Sequence, residues 1–230
     1  YGYNSALVAC AQQHNWRHAV DVLQHALLQQ VLPDVVSYSS SITACGSAKQ
    51  WEAALHAFHS MLVNEVCPNK FTYSGLISSC EKASSWDFAV KLLGSMSEAG
   101  LQPDVVCYTS AMKACEKAME WPLALAILEE MLENVVSPNA YSCSSLIMAC
   151  EATADWQIAF SLFGSMVASD VKADVVACSA TVNACAKGSA WQLALLLFAG
   201  MQSSMVLPNE YTYQGAVDGC ERGSQPHVAL

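Results

Sequence analysis

Charge is scarce in this chain, and positive charge scarcer still. Only 13% of the 230 residues are charged, and 10 Lys and Arg stand against 20 Asp and Glu, a formal net charge of −10. That balance lacks the electrostatic footprint with which most nucleic-acid binders hold phosphates. Long apolar runs are missing as well. The longest, Leu193 to Met201, is about half of what a bilayer-crossing helix needs, so no membrane span is expected. No Gly-rich phosphate loop, nucleophile elbow or paired carboxylates stand out, and an enzyme is not expected in this stretch. His14 with His18, and His56 with His59, are the nearest approach to a metal set. No Glu or Cys completes either at ligand spacing and neither pair recurs, so they read as surface histidines, with no metal and no cofactor expected. What fills the space left by charge is hydrophobic: 53% of residues, enough for a continuous core and too much for disorder.

The apolar residues are not scattered. Trp16, Trp51, Trp86, Trp121, Trp156 and Trp191 stand 35 residues apart, and Cys10, Cys45, Cys80, Cys115, Cys150, Cys185 and Cys220 keep the same step. Each copy therefore runs Cys, five residues, Trp, until Pro226 takes the place of a seventh tryptophan. Self-similarity at this period marks a repeat architecture, in which each unit buries its apolar face against the next. Within one unit, Tyr38, Ile42 and Cys45 recur at helical spacing from Val36 to about Ala48. Gly46 to Gln50 interrupts, and Trp51 to about Val63 forms a second amphipathic helix carrying Ala54, Leu55, Phe58 and Met61. The recurring alanines (Ala19, Ala54, Ala89, Ala124, Ala159, Ala194) and the stripe Ala26, Met61, Met96, Met131, Met166, Met201 are expected in the core. The tryptophans are expected to plug the gap between the two helices of their own unit.

Eleven cysteines invite a disulfide reading. Equivalent residues of stacked helices, however, lie about 8–10 Å apart, whereas a disulfide needs Cα atoms within roughly 4.4–6.8 Å. They are read as reduced, packed thiols.

A 35-residue two-helix unit that opens Val-Val-x-Tyr-Ser/Thr, carries Ala-Leu and then Met in its second helix, and closes on Pro-Asp or Pro-Asn resembles the pentatricopeptide repeat. The resemblance covers the whole chain and places repeats at 1–34, 35–69, 70–104, 105–139, 140–174 and 175–209, with a partial copy at 210–230. The chain is accordingly expected to be one array, a segment of a longer protein. Tryptophan opens the second helix where this family usually has leucine or methionine, a departure similar to the Cys/Trp-rich arrays of some protists and algae.

The resemblance implies an all-α, right-handed α-solenoid superhelix of tandem helix-turn-helix repeats that binds single-stranded RNA, one nucleotide per repeat. In that family the fifth and last residues of a repeat read the base. Here those pairs are Asn4 with Asp34, Ser39 with Asn69, Ser74 with Asp104, Thr109 with Asn139, Ser144 with Asp174, and Ser179 with Asn209. Aspartate only accepts, which suits the N–H edges of guanine and uracil; an asparagine amide can donate and accept. With serine or threonine going with purines and asparagine with pyrimidines, the expected sequence is 5′-UAGAGA-3′. The resemblance also implies organellar work in RNA processing, stability, editing or translation, in mitochondrion or plastid.

The true period is 70. The last residues alternate Asp and Asn, and the second residues alternate with them: Val36, Val106 and Val176 after aspartate, Phe71, Tyr141 and Tyr211 after asparagine. Second residues sandwich each base in the family, so every base would meet one ring and one valine; duplication of repeat pairs explains the same alternation. Lys82, Lys117, Lys187 and Arg222 share one place near the end of the first helix, where the family approaches the phosphates. Glu81, Glu116 and Glu221 precede three of them, which equally suits a solvated helix end. A different class of function remains open: an acidic helical scaffold accepting a protein or basic peptide, which explains the net charge better but not the confinement of twelve positions to Asn, Asp, Ser and Thr.

Overall fold

The computed structural model describes residues 2–168 and 171–223. Pro226 and the last residues of the partial copy, 224–230, lie outside the described residues. The described residues form thirteen helices and no strand. These are α1 (Gly2–Gln12), α2 (Trp16–Leu28), α3 (Val35–Ser47), α4 (Trp51–Val63), α5 (Lys70–Lys82), α6 (Trp86–Glu98) and α7 (Val105–Lys117), followed by α8 (Trp121–Glu133), α9 (Ala140–Thr153), α10 (Trp156–Ala168), α11 (Val175–Lys187), α12 (Trp191–Ser203) and α13 (Glu210–Arg222). This is an all-α array of tandem helix-turn-helix repeats, the solenoid architecture expected. The chain divides into two compact units, Tyr1–Ala114 and Cys115–Leu230.

In the first unit α1 packs on α3 and α3 on α5, so first helices form one layer, while α2 and α4 each wedge between two consecutive first helices. The second unit repeats this: α9 on α11 on α13, with α10 and α12 wedged behind them. The alanines Ala19, Ala54, Ala89, Ala124, Ala159 and Ala194 are fully buried, as are Met61, Met96 and Met131. Close helix approach leaves no room for more at the alanine positions.

Both kinds of helix end the same way. The residue two places past the last helical one, or one place past it after α9, sits in the left-handed region: His14, Lys49, Ser84, Met119, Ala154 and Ser189 after first helices, and Gln30, Glu65, Gly100, Val135 and Met205 after second ones. The next residue's N–H returns to the carbonyl five back. In first helices that carbonyl belongs to Cys10, Cys45, Cys80, Cys115, Cys150 or Cys185. In second helices it belongs to Ala26, Met61, Met96, Met131, Met166 or Met201. This is a Schellman closure, which satisfies the orphan carbonyls of a helix end. The repeating cysteine and methionine thus mark the last apolar turn before each stop.

Two expectations change. Gly46 does not break α3, which runs on to Ser47; a Cβ on Gly46 would stand 3.0 Å from Ser79 Cβ, so the glycine serves the close approach of α5. The tryptophans are half-buried at the first turn of the second helices, and Trp51, Trp156 and Trp191 reach forward into the next repeat. Trp51 meets Phe88 at 5.0 Å between ring centroids. Trp156 packs into the cluster of Cys178, Val182 and Cys185, and its ring lies where a side chain on Gly188 would be, 2.0 Å from the Cβ position. They seal the seam between repeats, because burying an indole there joins two units that neither could cover alone.

All eleven cysteines are free thiols, and most are buried. Desolvation pushes Cys45, Cys80, Cys115, Cys178 and Cys185 up to about 11 and Cys150 to about 12, so they are neutral packing groups. Among the described residues no helix is long and apolar enough to cross a membrane, and no group of three or more His, Cys, Asp or Glu could hold a metal ion.

Candidate functional site

The last residue of each repeat is the N-cap of the following first helix. Asp34 Oδ1 accepts from Ser37 N at 2.9 Å, Asp104 Oδ1 from Cys107 N at 3.0 Å, and Asp174 Oδ1 from Ala177 N at 2.8 Å. Asn69, Asn139 and Asn209 cap Thr72, Ser142 and Thr212 in the same way, each at 2.9 Å. Capping consumes one of the two polar ends of the side chain. Only oxygen can accept a backbone N–H, so the amide orientation is fixed. The atom left over is a carboxylate oxygen, an acceptor, in the aspartates and an NH₂, a donor, in the asparagines.

The alternation has a structural counterpart. Asparagine caps stand in capping boxes, in which the hydroxyl of Thr72, Ser142 or Thr212 also faces the cap. Aspartate caps are followed at that place by Ser37, whose hydroxyl also donates to Asp34 Oδ1, and by Cys107 and Ala177, which have no hydroxyl. These third residues were not singled out by sequence, although the Asn-x-x-Thr/Ser spacing carries the signal.

The fifth residues lie deeper. Ser39, Thr109, Ser144 and Ser179 are buried, while Asn4 and Ser74 are half-buried. Ser39 Oγ meets Thr72 Oγ1 of the next helix at 2.9 Å, and Ser179 Oγ meets Thr212 Oγ1 at 2.7 Å, so the third residue links fifth and last. Thr72 Oγ1 donates on to Asn69 Oδ1, and Thr212 Oγ1 to Asn209 Oδ1. Two repeats join the pair directly: Asn4 Nδ2 donates to Asp34 Oδ2 at 2.9 Å and Ser144 Oγ to Asp174 Oδ1 at 3.2 Å. Thr109 donates to Val105 O, within its own helix. The last residues are reachable from solvent; the Ser39 and Ser179 hydroxyls, shut in the seam between first helices, are reachable where that seam opens.

Hydrogen bonding from Ser37 N, and then from Asn4, holds the Asp34 carboxyl below the usual range despite some burial. Partial burial opposes the same shift at Asp104, but the Cys107 N–H and the Lys70 ammonium, 3.2 Å from Oδ2, outweigh it. Both are firmly anionic at neutral pH.

At the second position Val36, Phe71, Val106, Tyr141, Val176 and Tyr211 all stand exposed, between 42% and 64%. Six large apolar groups left in water at one register are a surface feature, since the position after each of them is buried. The Tyr211 hydroxyl donates to Glu151 Oε1, two repeats back, at 2.5 Å.

The model of the PPR repeat family matches residues 33–82 and 103–151, and that of the PPR repeat matches 71–101 and 141–171, together more than half of the chain. The chain belongs to the pentatricopeptide repeat family. No curated protein matches it significantly. Among solved structures it is similar to the pentatricopeptide repeat protein PPR10 from maize, at 24% identity and a TM-score of 0.67, over 94% of this chain and 31% of that one. PPR10 in complex with an 18-nt psaJ RNA element aligns at 18% identity and a TM-score of 0.62, over 99% and 39%. The PPR domain of Arabidopsis thaliana protein-only RNase P 1, in complex with tRNA, aligns at 14% and 0.60, over 94% and 95%. The chain spans about a third of the length of the maize structure, and at these identities the likeness establishes the fold.

In the pentatricopeptide frame the four cations at the end of the first helices differ among themselves. Lys82 and Lys117 are exposed. Lys187 is drawn to Glu151 of the preceding repeat, Nζ to Oε1 2.8 Å, and Arg222 Nη1 donates to Lys187 O at 3.2 Å. Glu151 is only 5% exposed, so Lys187 and Tyr211 share a buried carboxylate. The sequence pairs Lys82, Lys117 and Arg222 with the glutamate just before each; Lys187, preceded by Ala186, finds its carboxylate across the seam in the preceding repeat.

Proposed function

We propose that this segment is a sequence-preferring adaptor for single-stranded RNA, taking one nucleotide per repeat and preferring 5′-UAGAGA-3′. One observation carries the reading: every cap commits one oxygen to the backbone, so the polar atom left over is alternately an acceptor and a donor, and a base takes the place of Asn4 at Asp34 Oδ2 and of Lys70 at Asp104 Oδ2. An acceptor suits the N1–H of guanine or the N3–H of uracil, and a donor suits the N1 of adenine or the N3 of cytosine. The capping geometry thus narrows asparagine, which in isolation could serve either way, to donation. The exposed second residues supply faces for base stacking, worth about 1–3 kcal/mol per base, and the two RNA-bound relatives favour the same class of ligand. Base reading by Ser39, Thr109, Ser144 and Ser179 requires the seam to open on binding, at the cost of the Ser39 and Ser179 hydroxyl contacts made in its closed form, whereas Asn4 and Ser74, half-buried, read from its edge. Lys82, Lys117 and Arg222 are the cations for the phosphates, with Lys187 released only against Glu151. We assign the segment no catalytic step and place its work in organellar RNA processing, stability, editing or translation.

The Asp104→Asn and Asp174→Asn double variant tests this cleanly, because asparagine caps a helix as well as aspartate does. Titrated against UAGAGA and UAAAAA, the wild type should prefer the first and the variant the second. By analogy with base mismatches in protein–DNA sites, each position should contribute about 1–3 kcal/mol. Equal or absent RNA binding by both proteins, with capture of a basic peptide, replaces this reading with the acidic protein-binding scaffold.

A further inference from the structure

The fourth residue of a repeat is a tyrosine in five copies, Tyr3, Tyr38, Tyr73, Tyr108 and Tyr213, and a cysteine in two consecutive ones, Cys143 and Cys178. Where tyrosine is present it fills a defined place between second helices. Tyr38 is fully buried, and its hydroxyl lies 3.5 Å from Ser60 O of α4 and 3.1 Å from Nδ2 of Asn64, the C-cap of that helix. Tyr73 and Tyr213 set their rings edge-on against Phe58 and Phe198 of the preceding second helix, at 5.5 and 5.1 Å. Thus the Tyr73 and Tyr213 rings have an aromatic wall from the previous repeat, and Tyr38 has a polar end from its own.

At Cys178 the walls remain and the ring is gone. Phe163, the counterpart of Phe58 and Phe198, lines a cavity of ≈ 700 Å³ together with Cys178, Leu197, Met201, Gly200 and Ser204. Gly200 and Ser204 are the counterparts of Ser60 and Asn64, the residues that meet the Tyr38 hydroxyl. Gly200 adds room, since a Cβ built on it would meet nothing within 4 Å. Cys143 opens a smaller cavity of ≈ 120 Å³ against Leu128 and Leu162, so the large one goes with the phenylalanine and the glycine as well as with the missing tyrosine.

We propose that the cavity at Cys178 is a binding site for a small para-substituted phenol. The chain itself supplies the template: a phenol ring fills the same place in other repeats, with its face or edge on the position-equivalent of Phe163 and its hydroxyl toward the position-equivalents of Gly200 and Ser204. An apolar cavity bounded by a side chain deletion is a known receptor for small aromatic molecules. A phenol adds the hydrogen bond that a hydrocarbon leaves unmade. This site is independent of RNA reading, for it lies on the side of α11 that faces the second helices.

The test is calorimetric titration and thermal shift with p-cresol, which is the tyrosine side chain itself, and with toluene. The wild type should bind p-cresol saturably and at least several-fold more tightly than toluene. Cys178→Tyr puts the ring back covalently; it should raise Tm by a few degrees and abolish p-cresol binding. Gly200→Leu fills the cavity from the opposite wall and should abolish binding too, which keeps the test valid if the tyrosine variant does not fold. Absence of p-cresol binding by the wild type, or binding unchanged in the folded variants, overturns the site; equal affinity for toluene overturns the phenol assignment. N-acetyltyrosinamide is the last arm: tighter binding than p-cresol would give the ring to a protein partner and overturn the small-molecule assignment.

Discussion

Glu151 is the one charged residue among those described whose side chain lies in the buried class, and two neighbours from two different repeats depend on it. The Tyr211 phenol is pushed up to about 12, first by desolvation and then by the carboxylate that accepts its hydrogen bond. Glu151→Gln should therefore bring this phenol part of the way back toward about 10, seen in the ultraviolet difference titration between variant and wild type. The buried thiols respond to pH in the same direction. Their folded values, about 11 and above, exceed the free-thiol value of about 8.5, so the stability they contribute is fully present below pH 8.5 and is lost as pH rises through 11. Urea midpoints should fall between pH 8 and pH 10.5, with the fall reduced when Cys45 and Cys80 are replaced by alanine. Asp34 and Asp104 act at the other end. Their depressed values mean that what they contribute is present above pH about 4 and is lost as pH falls through the folded value.

Helices in this chain are short, 11 to 14 residues, and would be marginal alone; their ends therefore matter as much as their faces. Among the described residues ten non-glycine ones hold the left-handed turn conformation, which costs an L-residue about 1–2 kcal/mol. Val135 is the most improbable of them, β-branched, at φ 58° and 90% exposed. Val135→Gly should stabilise the protein by roughly 0.5–1 kcal/mol, since it relieves strain and removes no packing; a thermal or urea melt measures it. The starts, lengths and two-helix rhythm of these elements were legible because tryptophan, cysteine, alanine and methionine repeat at fixed steps. The turn geometry was not, because only Gly100 announces it by residue type. Nor was the forward reach of Trp156 and Trp191, which depends on the next repeat having Gly188 and Gly223 opposite. In the site, the twelve paired positions could be named from the repeat, but the burial of Ser39 and Ser179 could not. Their partners Thr72 and Thr212 stand 33 residues away and belong to a motif of their own.

An array of this kind gathers stability from each repeat and each seam, and its ligand would gather affinity in the same stepwise way. A net charge of −10 leaves few phosphate contacts to add to that. With three cations engaged, the slope of log K against log salt on single-stranded RNA should be about −2, and freeing Lys187 through Glu151→Gln should steepen it by about 0.7. Nitrocellulose or anisotropy titrations across a salt series read both values. The alternating caps carry a further consequence for any strand read one base per repeat. Shifting such a strand by one nucleotide sets every outward acceptor against the base meant for a donor, while shifting it by two restores all but the ends. On a long alternating purine tract the array would therefore have evenly spaced equivalent berths, two nucleotides apart, with every odd berth barred, and it would move along that tract in double steps.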